Sequence, residues 1–196
     1  MDPGHANSAQ PPSHLATILD DLDKSDQAAQ RIAGGLSNAQ VNWQPNEAAW
    51  SIAQCLDHLG RANTMYAASL HEAIKEAGGG KGPQSRPIRL GWFSRFFIAL
   101  LEPPPKRKLR APKKIVPASR IGGHEVLQAF LRSQEDLRAV VREGAGLDLN
   151  RIRFRNPFIG FLRFTVGAGL MIVTAHDRRH LWQAEMVLKS PGFPKN

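Results

Sequence analysis

Two histidines, His176 and His180, stand four residues apart. On a helix that spacing stacks their imidazoles on one face, within reach of a single metal ion. A third, His58, belongs to a different segment and lies at the edge of an apolar stripe, in line with Cys55 and Ala62, so it can enter from a facing helix. Two imidazoles from one helix and one from another can form a facial three-nitrogen site with coordination positions left open. Such a metal lowers the pKa of a bound water or thiol. An isolated H-x-x-x-H also arises by chance on solvated helix faces. Here, however, His176 directly follows the nearly apolar run Phe164 to Ala175 and so starts in the interior, where an imidazole needs a hydrogen-bond partner or a metal.

Other residues offer weaker chemistry. Cys55, one turn from His58, is either a buried structural thiol or a fourth ligand or nucleophile; as the single cysteine it excludes an intramolecular disulfide or a multi-cysteine metal site. Asp57 and Asp177 each adjoin a proposed ligand and are rotated about 100° off the metal face, which makes them supporting or surface groups. Gln54, Asn63 and Gln183 are polar at bundle-facing positions, suited to orienting imidazoles or substrate, whereas Trp50 and Trp182 read as core. His71-Glu72-Ala73-Ile74-Lys75 lacks the second histidine of a zincin, and Gly78-Gly79-Gly80-Lys81-Gly82 follows no strand and precedes Pro83, so it is no phosphate loop.

Four segments with helical periodicity must position these groups. The first runs from about Ser13, read as its N-cap, to Gly34-Gly35 and carries Leu15, Ile18, Leu19, Leu22, Ala29, Ile32 and Leu36. The second starts at Ser51 with Gln54 three residues on, a capping-box spacing, and ends at Gly78-Gly79-Gly80. The third spans about Gly123 to Gly144. The fourth, about Thr165 to Leu188, is apolar all round in its first half and belongs at the centre of the packing. No stretch shows sustained period-two alternation. These are the ingredients of an all-α four-helix bundle occupying residues 13–196 as one domain, behind a disordered tail, 1–12. Residues 81–122 form a Gly/Pro-rich insertion between the second and third helices, with a short extra helix in the amphipathic stretch Gly91 to Glu102. That stretch carries Trp92, Phe93, Phe96 and Phe97, more aromatic surface than one face of a short helix buries within its own chain, which points to an interface and a homodimer.

The net charge of the 196 residues is +9, and residues 81–114 alone hold ten Lys/Arg against one Asp/Glu. This segment reads either as a solvated basic loop or as a surface for a small acidic ligand or partner, with Arg86, Arg89, Lys106, Arg107 and Lys108 as anion-binding candidates. Arg151, Arg153 and Arg155 are further candidates in a stretch, RIRFRN, that otherwise reads as a solvated loop. No helix-turn-helix, RNP or zinc-finger pattern supports sequence-specific nucleic-acid recognition. No run reaches the roughly twenty apolar residues of a membrane span, and the N-terminus lacks the basic and apolar regions of a secretory signal, so the expected compartment is the cytoplasm.

Asn42-Trp43-Gln44-Pro45, followed by Trp50-Ser51-Ile52-Ala53-Gln54-Cys55-Leu56-Asp57-His58-Leu59, resembles a signature of the DinB-like (DinB/YfiT) superfamily. His176-Asp177-Arg178-Arg179-His180-Leu181-Trp182-Gln183-Ala184 is similar to that family's closing helix, and Gly192-Phe193-Pro194 to its tail. The resemblance spans residues 13–194. It implies a four-helix bundle, often homodimeric, that holds a divalent metal (zinc, nickel, iron or manganese) through His58, His176 and His180. Members with assigned activity include thiol transferases using bacillithiol, mycothiol or glutathione, a mycothiol-dependent isomerase and hydrolases. The implied roles are therefore a thiol-dependent S-transferase or a hydrolase acting on a small molecule, with a low-molecular-weight thiol as possible cofactor and the basic insertion as counter-charge for its carboxylates. The chain departs from the family at Gln54, where an acidic residue often stands. The contrasting reading is a non-catalytic helical module whose basic insertion docks an acidic partner.

Overall fold

A computed structural model describes residues 12–78, 86–105, 111–119 and 122–195. Lys106, Arg107 and Lys108 lie outside the described residues, as does the expected tail apart from Pro12. The long helices are α1 (Ser13–Ala33), α3 (Ile52–Glu76), α5 (Gly123–Glu143) and α6 (Val166–Leu188); the shorter α2 (Asn38–Asn42) and α4 (Trp92–Leu101) lie in the connections. α1 and α3 each pack against both α5 and α6. The four long helices therefore form an all-α bundle with α1 and α3 on one diagonal and α5 and α6 on the other.

Local chemistry explains most boundaries. Ser51 caps α3 as its spacing predicts: its hydroxyl accepts from Gln54 N at 3.1 Å, while Gln54 Oε1 accepts from Ser51 N at 3.0 Å. The chain leaves that helix through Gly78, whose φ of +80° suits glycine. Ser37 and Gln40 repeat the box and start α2, a helix that the periodicity reading passed over because five residues are too few to show a stripe. At α1 the expected cap is displaced by one residue. Pro12, with ψ at 141°, takes the cap position, and its carbonyl accepts from Leu15 N and Ala16 N at 2.8 and 3.1 Å, so Ser13 is already helical and makes no cap bond.

Two three-residue strands also appear, β1 (Arg153–Arg155) and β2 (Arg163–Thr165), paired antiparallel. RIRFRN is thus partly a strand; three residues give a single alternation, which the sequence cannot distinguish from a loop. Phe154 and Phe164 turn inward, and a Cβ on Gly169 of α6 would meet Phe154 Cε1 at 2.6 Å, so only glycine lets the hairpin sit this close. α4 forms within the basic insertion as expected. Its Phe93 stacks on Phe164 and Phe97 lies beside it, whereas Trp92 and Phe96 remain 80% and 57% exposed.

The core falls into two apolar halves, one around the hairpin, α4 and the first half of α6, the other around the start of α3 and the end of α6. Between them runs a layer of buried polar residues: Ser25 of α1, Asn63 of α3, Ser133 and Gln134 of α5, and Asp177 of α6. The histidines border this layer.

Candidate metal centre

α3 and α6 bring His58, His176 and His180 together, with one ring nitrogen of each within 4.8 Å of the others. The i, i+4 spacing on α6 places the rings of His176 and His180 4.7 Å apart, and His58 meets them from α3 at 5.0 and 4.5 Å. His58 and His180 are 2% and 8% exposed, and His176 is half-buried.

Two partners fix the tautomers. His58 Nδ1 lies 2.7 Å from the carbonyl of Ile115, which can only accept, so the proton is on Nδ1 and Nε2 presents a lone pair. His180 Nδ1 likewise donates to Gln183 Oε1 at 3.0 Å, leaving its Nε2 bare. His58 Nε2 faces His176 Nε2 at 3.2 Å. His176 either donates a proton across that gap or, with its own Nε2 deprotonated, joins His58 in facing a cation. Two nitrogens each about 2.0–2.1 Å from one tetrahedral ion are themselves about 3.3 Å apart, so the separation suits a shared metal.

Burial keeps the rings neutral, as ligands must be. Desolvation, then the neighbouring His58 and Arg179, pushes His176 down to about 3. Desolvation also drives His180 well below its ordinary value, helped by His176, His58 and Arg179, and it lowers His58 against the opposing pull of the Ile115 carbonyl and Asp57. Protonation is thus suppressed throughout the cluster, and the donor set of three imidazoles suits a borderline divalent ion.

The surroundings divide the expected supporting residues. Gln183 does orient an imidazole. Gln54 instead caps α3 and donates to the Ala118 carbonyl at 3.3 Å, while Asp57 accepts from Ala118 N at 3.0 Å and from Arg61 at 2.9 Å. These bonds hold the end of the insertion, residues 111–119, across α3, which is how the Ile115 carbonyl reaches His58. Trp50, read as core, lies over the cluster, its ring 5.6 Å from His180 and stacked, and 4.8 Å from His58. Cys55 is fully buried, its thiol pushed far up by desolvation, and it stands outside the group of converging ligand atoms.

Asn63 makes its side-chain hydrogen bond to Asp177 and not to a histidine. Its amide donates to Asp177 Oδ1 at 2.9 Å, and Gln134, which the sequence reading did not single out, donates to Oδ2 at 2.8 Å. Asp177 is 0% exposed, not at the surface, because the 100° step that turns it off the metal face turns it into the bundle centre. A polar residue on the apolar stripe of each neighbouring helix, Asn63 and Gln134, was the available signal. Arg86 and Arg89 are exposed beside the turn at Asp148–Asn150, where Asn150 Oδ1 accepts from Arg89 N at 2.6 Å. Ile88 between them packs at Gly167, about 13 Å along the α6 axis from His176.

The α2 segment carrying the Trp-Gln-Pro motif docks the C-terminal tail: Gln40 donates to the Pro194 carbonyl at 3.0 Å, and Trp43 meets Phe193 edge to face at 5.5 Å. The motifs that suggested a family thus form connected parts of one structure. A family model described as the DinB superfamily matches residues 21–184. The chain is 25% identical over 154 residues to the uncharacterized protein YuaE of Bacillus subtilis (strain 168), covering 78% of this chain and 86% of that protein. No solved structure matches it. With its bundle, its clustered histidines and this match over most of its length, the chain belongs to the DinB superfamily.

Proposed function

We propose that His58, His176 and His180 hold a divalent metal ion, zinc, nickel, iron or manganese, and that the protein is a metal-dependent enzyme acting on a small molecule, either a thiol-dependent S-transferase or a hydrolase. The observation that carries this reading is the convergence of Nε2 atoms from neutral imidazoles, two of them locked with a lone pair facing inward. An ion bound there supplies Lewis acidity that lowers the pKa of a thiol or water toward neutrality. The chain's own residues prepare the site: the Ile115 carbonyl and Gln183 fix ring orientation, and Trp50 with residues 111–119 limits solvent. Lys106 to Lys108 are the proposed counter-charges for a thiol's carboxylates. The domain reading, one bundle over residues 13–196, belongs to this proposal, as does a cytoplasmic setting; no described helix is long and apolar enough to cross a membrane. So does a homodimer, supported by the exposed Trp92 and Phe96.

The near-closure of His58 and His180 favours a second reading, a structural metal or none, with the basic insertion docking an acidic partner. Metal analysis of protein never exposed to chelator separates them first. One ion per chain is expected, followed by turnover when thiols are screened with electrophilic substrates. Failure to take up zinc, nickel or manganese when each is supplied in excess overturns the metal reading. Stoichiometric metal that supports no thiol- or water-dependent turnover, together with partner capture lost on neutralising Lys106 to Lys108, establishes the second. Light scattering at micromolar concentration tests the dimer, and a monomer mass refutes it.

A further inference from the structure

The β-hairpin carries an arrangement that the metal centre does not explain. Its register sets Arg155 directly opposite Arg163 and Arg153 opposite Thr165. Phe154 and Phe164 occupy the inner face, so all three arginines project from the outer one and are exposed. Like charges directly opposed across a strand pair are destabilising. Yet none of the three makes an ion pair or hydrogen bond with another described residue. They form one wall of a cleft of about 500 Å³ whose other wall is α3, with Ser69, Glu72 and Glu76. Ser69 lies eleven residues beyond His58, about 16 Å along the helix, so this cleft is separate from the histidine cluster.

We propose that the cleft binds a small phosphate monoester. Directly opposed residues on an antiparallel pair have Cβ atoms about 5 Å apart and diagonal ones about 7–8 Å, so three guanidinium groups can converge on one phosphoryl group. A carboxylate is satisfied by a single guanidinium fork, whereas a phosphoryl group carries nearly two charges and three terminal oxygens, enough acceptors to engage all three. Its charge also cancels the repulsion between Arg155 and Arg163. Glu72 and Glu76 on the facing wall accept hydrogen bonds from hydroxyl or amino groups on the rest of the ligand, and they repel a second phosphate. The cleft is therefore selective for a single phosphoryl group on a hydroxylated body over polyphosphates and nucleic-acid backbones. This inference does not depend on the metal reading.

Calorimetric titration of the full chain with inorganic phosphate and with glucose 6-phosphate tests it. Saturable one-to-one binding is expected for both, tighter for the sugar phosphate and weaker as salt rises. Because its side chains are exposed, Arg155→Ala/Arg163→Ala should keep the wild-type circular dichroism and lose about tenfold or more in affinity. Arg132→Ala, on the exposed face of α5, should change nothing. Glu72→Gln/Glu76→Gln should tighten inorganic phosphate and erase the preference for the sugar phosphate. Absence of saturable binding at millimolar ligand, or binding that survives the double arginine substitution, overturns the proposal. So does arginine-dependent retention on phosphatidic acid vesicles or a single-stranded oligonucleotide that glucose 6-phosphate does not displace, since the phosphoryl group would then belong to a lipid or a polymer.

Discussion

α6 supports two buried polar clusters a fraction of a turn apart, and they are built on opposite principles. His176 and His180 join His58 so that ring nitrogens converge from two helices, with no acidic group among them and a His176 proton as the one donor that could lie between His176 and His58. Asp177 joins Asn63 and Gln134 so that each carboxylate oxygen receives an amide N–H, while the amide oxygens Asn63 Oδ1 and Gln134 Oε1 are buried without a hydrogen-bond partner. The first cluster gathers imidazole nitrogens that could hold a cation, the occupant proposed above. The second satisfies its carboxylate from within the protein and joins α3, α5 and α6 at mid-bundle. Burial acts on both but in opposite directions: it lowers the histidines and raises the Asp177 carboxyl to about 7, so each group is driven toward its neutral form.

The sharpest break in this comparison is His176→Ala or His180→Ala. Metal measured by atomic absorption should fall from one ion per chain to near zero while far-UV circular dichroism holds, because the apolar halves of the core carry the fold. Asp177→Ala should do the reverse. Leaving two buried amides without their acceptor costs about 2–3 kcal/mol, read from the urea midpoint at pH 6, with metal uptake intact.

Proton linkage distinguishes the clusters further. Between about pH 4 and 7 the native protein keeps the Asp177 proton that the unfolded chain has lost, so this group makes stability fall as pH rises through that window. Asp177→Asn should remove that slope, and denaturation midpoints of the two proteins across the range measure it. The histidines have the opposite sign: with His176 pushed down to about 3, their contribution is lost as pH falls below the ordinary histidine value. The smallest change is expected from Gln183→Ala, which frees the His180 ring without removing a ligand. It should weaken metal affinity about tenfold in a chelator competition and leave the fold unchanged.

How much of this was legible beforehand depended on the range of the interaction. The capping box at Ser51, the four stripes, the apolar first half of α6 and the His176–His180 pair all rest on residues within a turn or two of one another. Their period of 3.6 is written along the chain whatever surrounds it. His58 was legible because it shares the stripe that faces the bundle.

Other features required the helices to be placed. The Ile115 carbonyl reaches His58 across 57 residues, Trp50 covers His180, and Asn63 pairs with Asp177 across 114 residues. Arg155 comes to oppose Arg163 only through strand register. The stripe can mark a residue such as Asn63 as inward-facing, but none of these pairings has a local signature, since a one-residue change of rotation or register would redirect each side chain. The sequence by itself determined which helices form and which imidazoles share a face. Packing decided which polar groups meet, because only the rotation of each helix about its axis and the seat of the hairpin on Gly169 bring distant donors and acceptors within 3 Å.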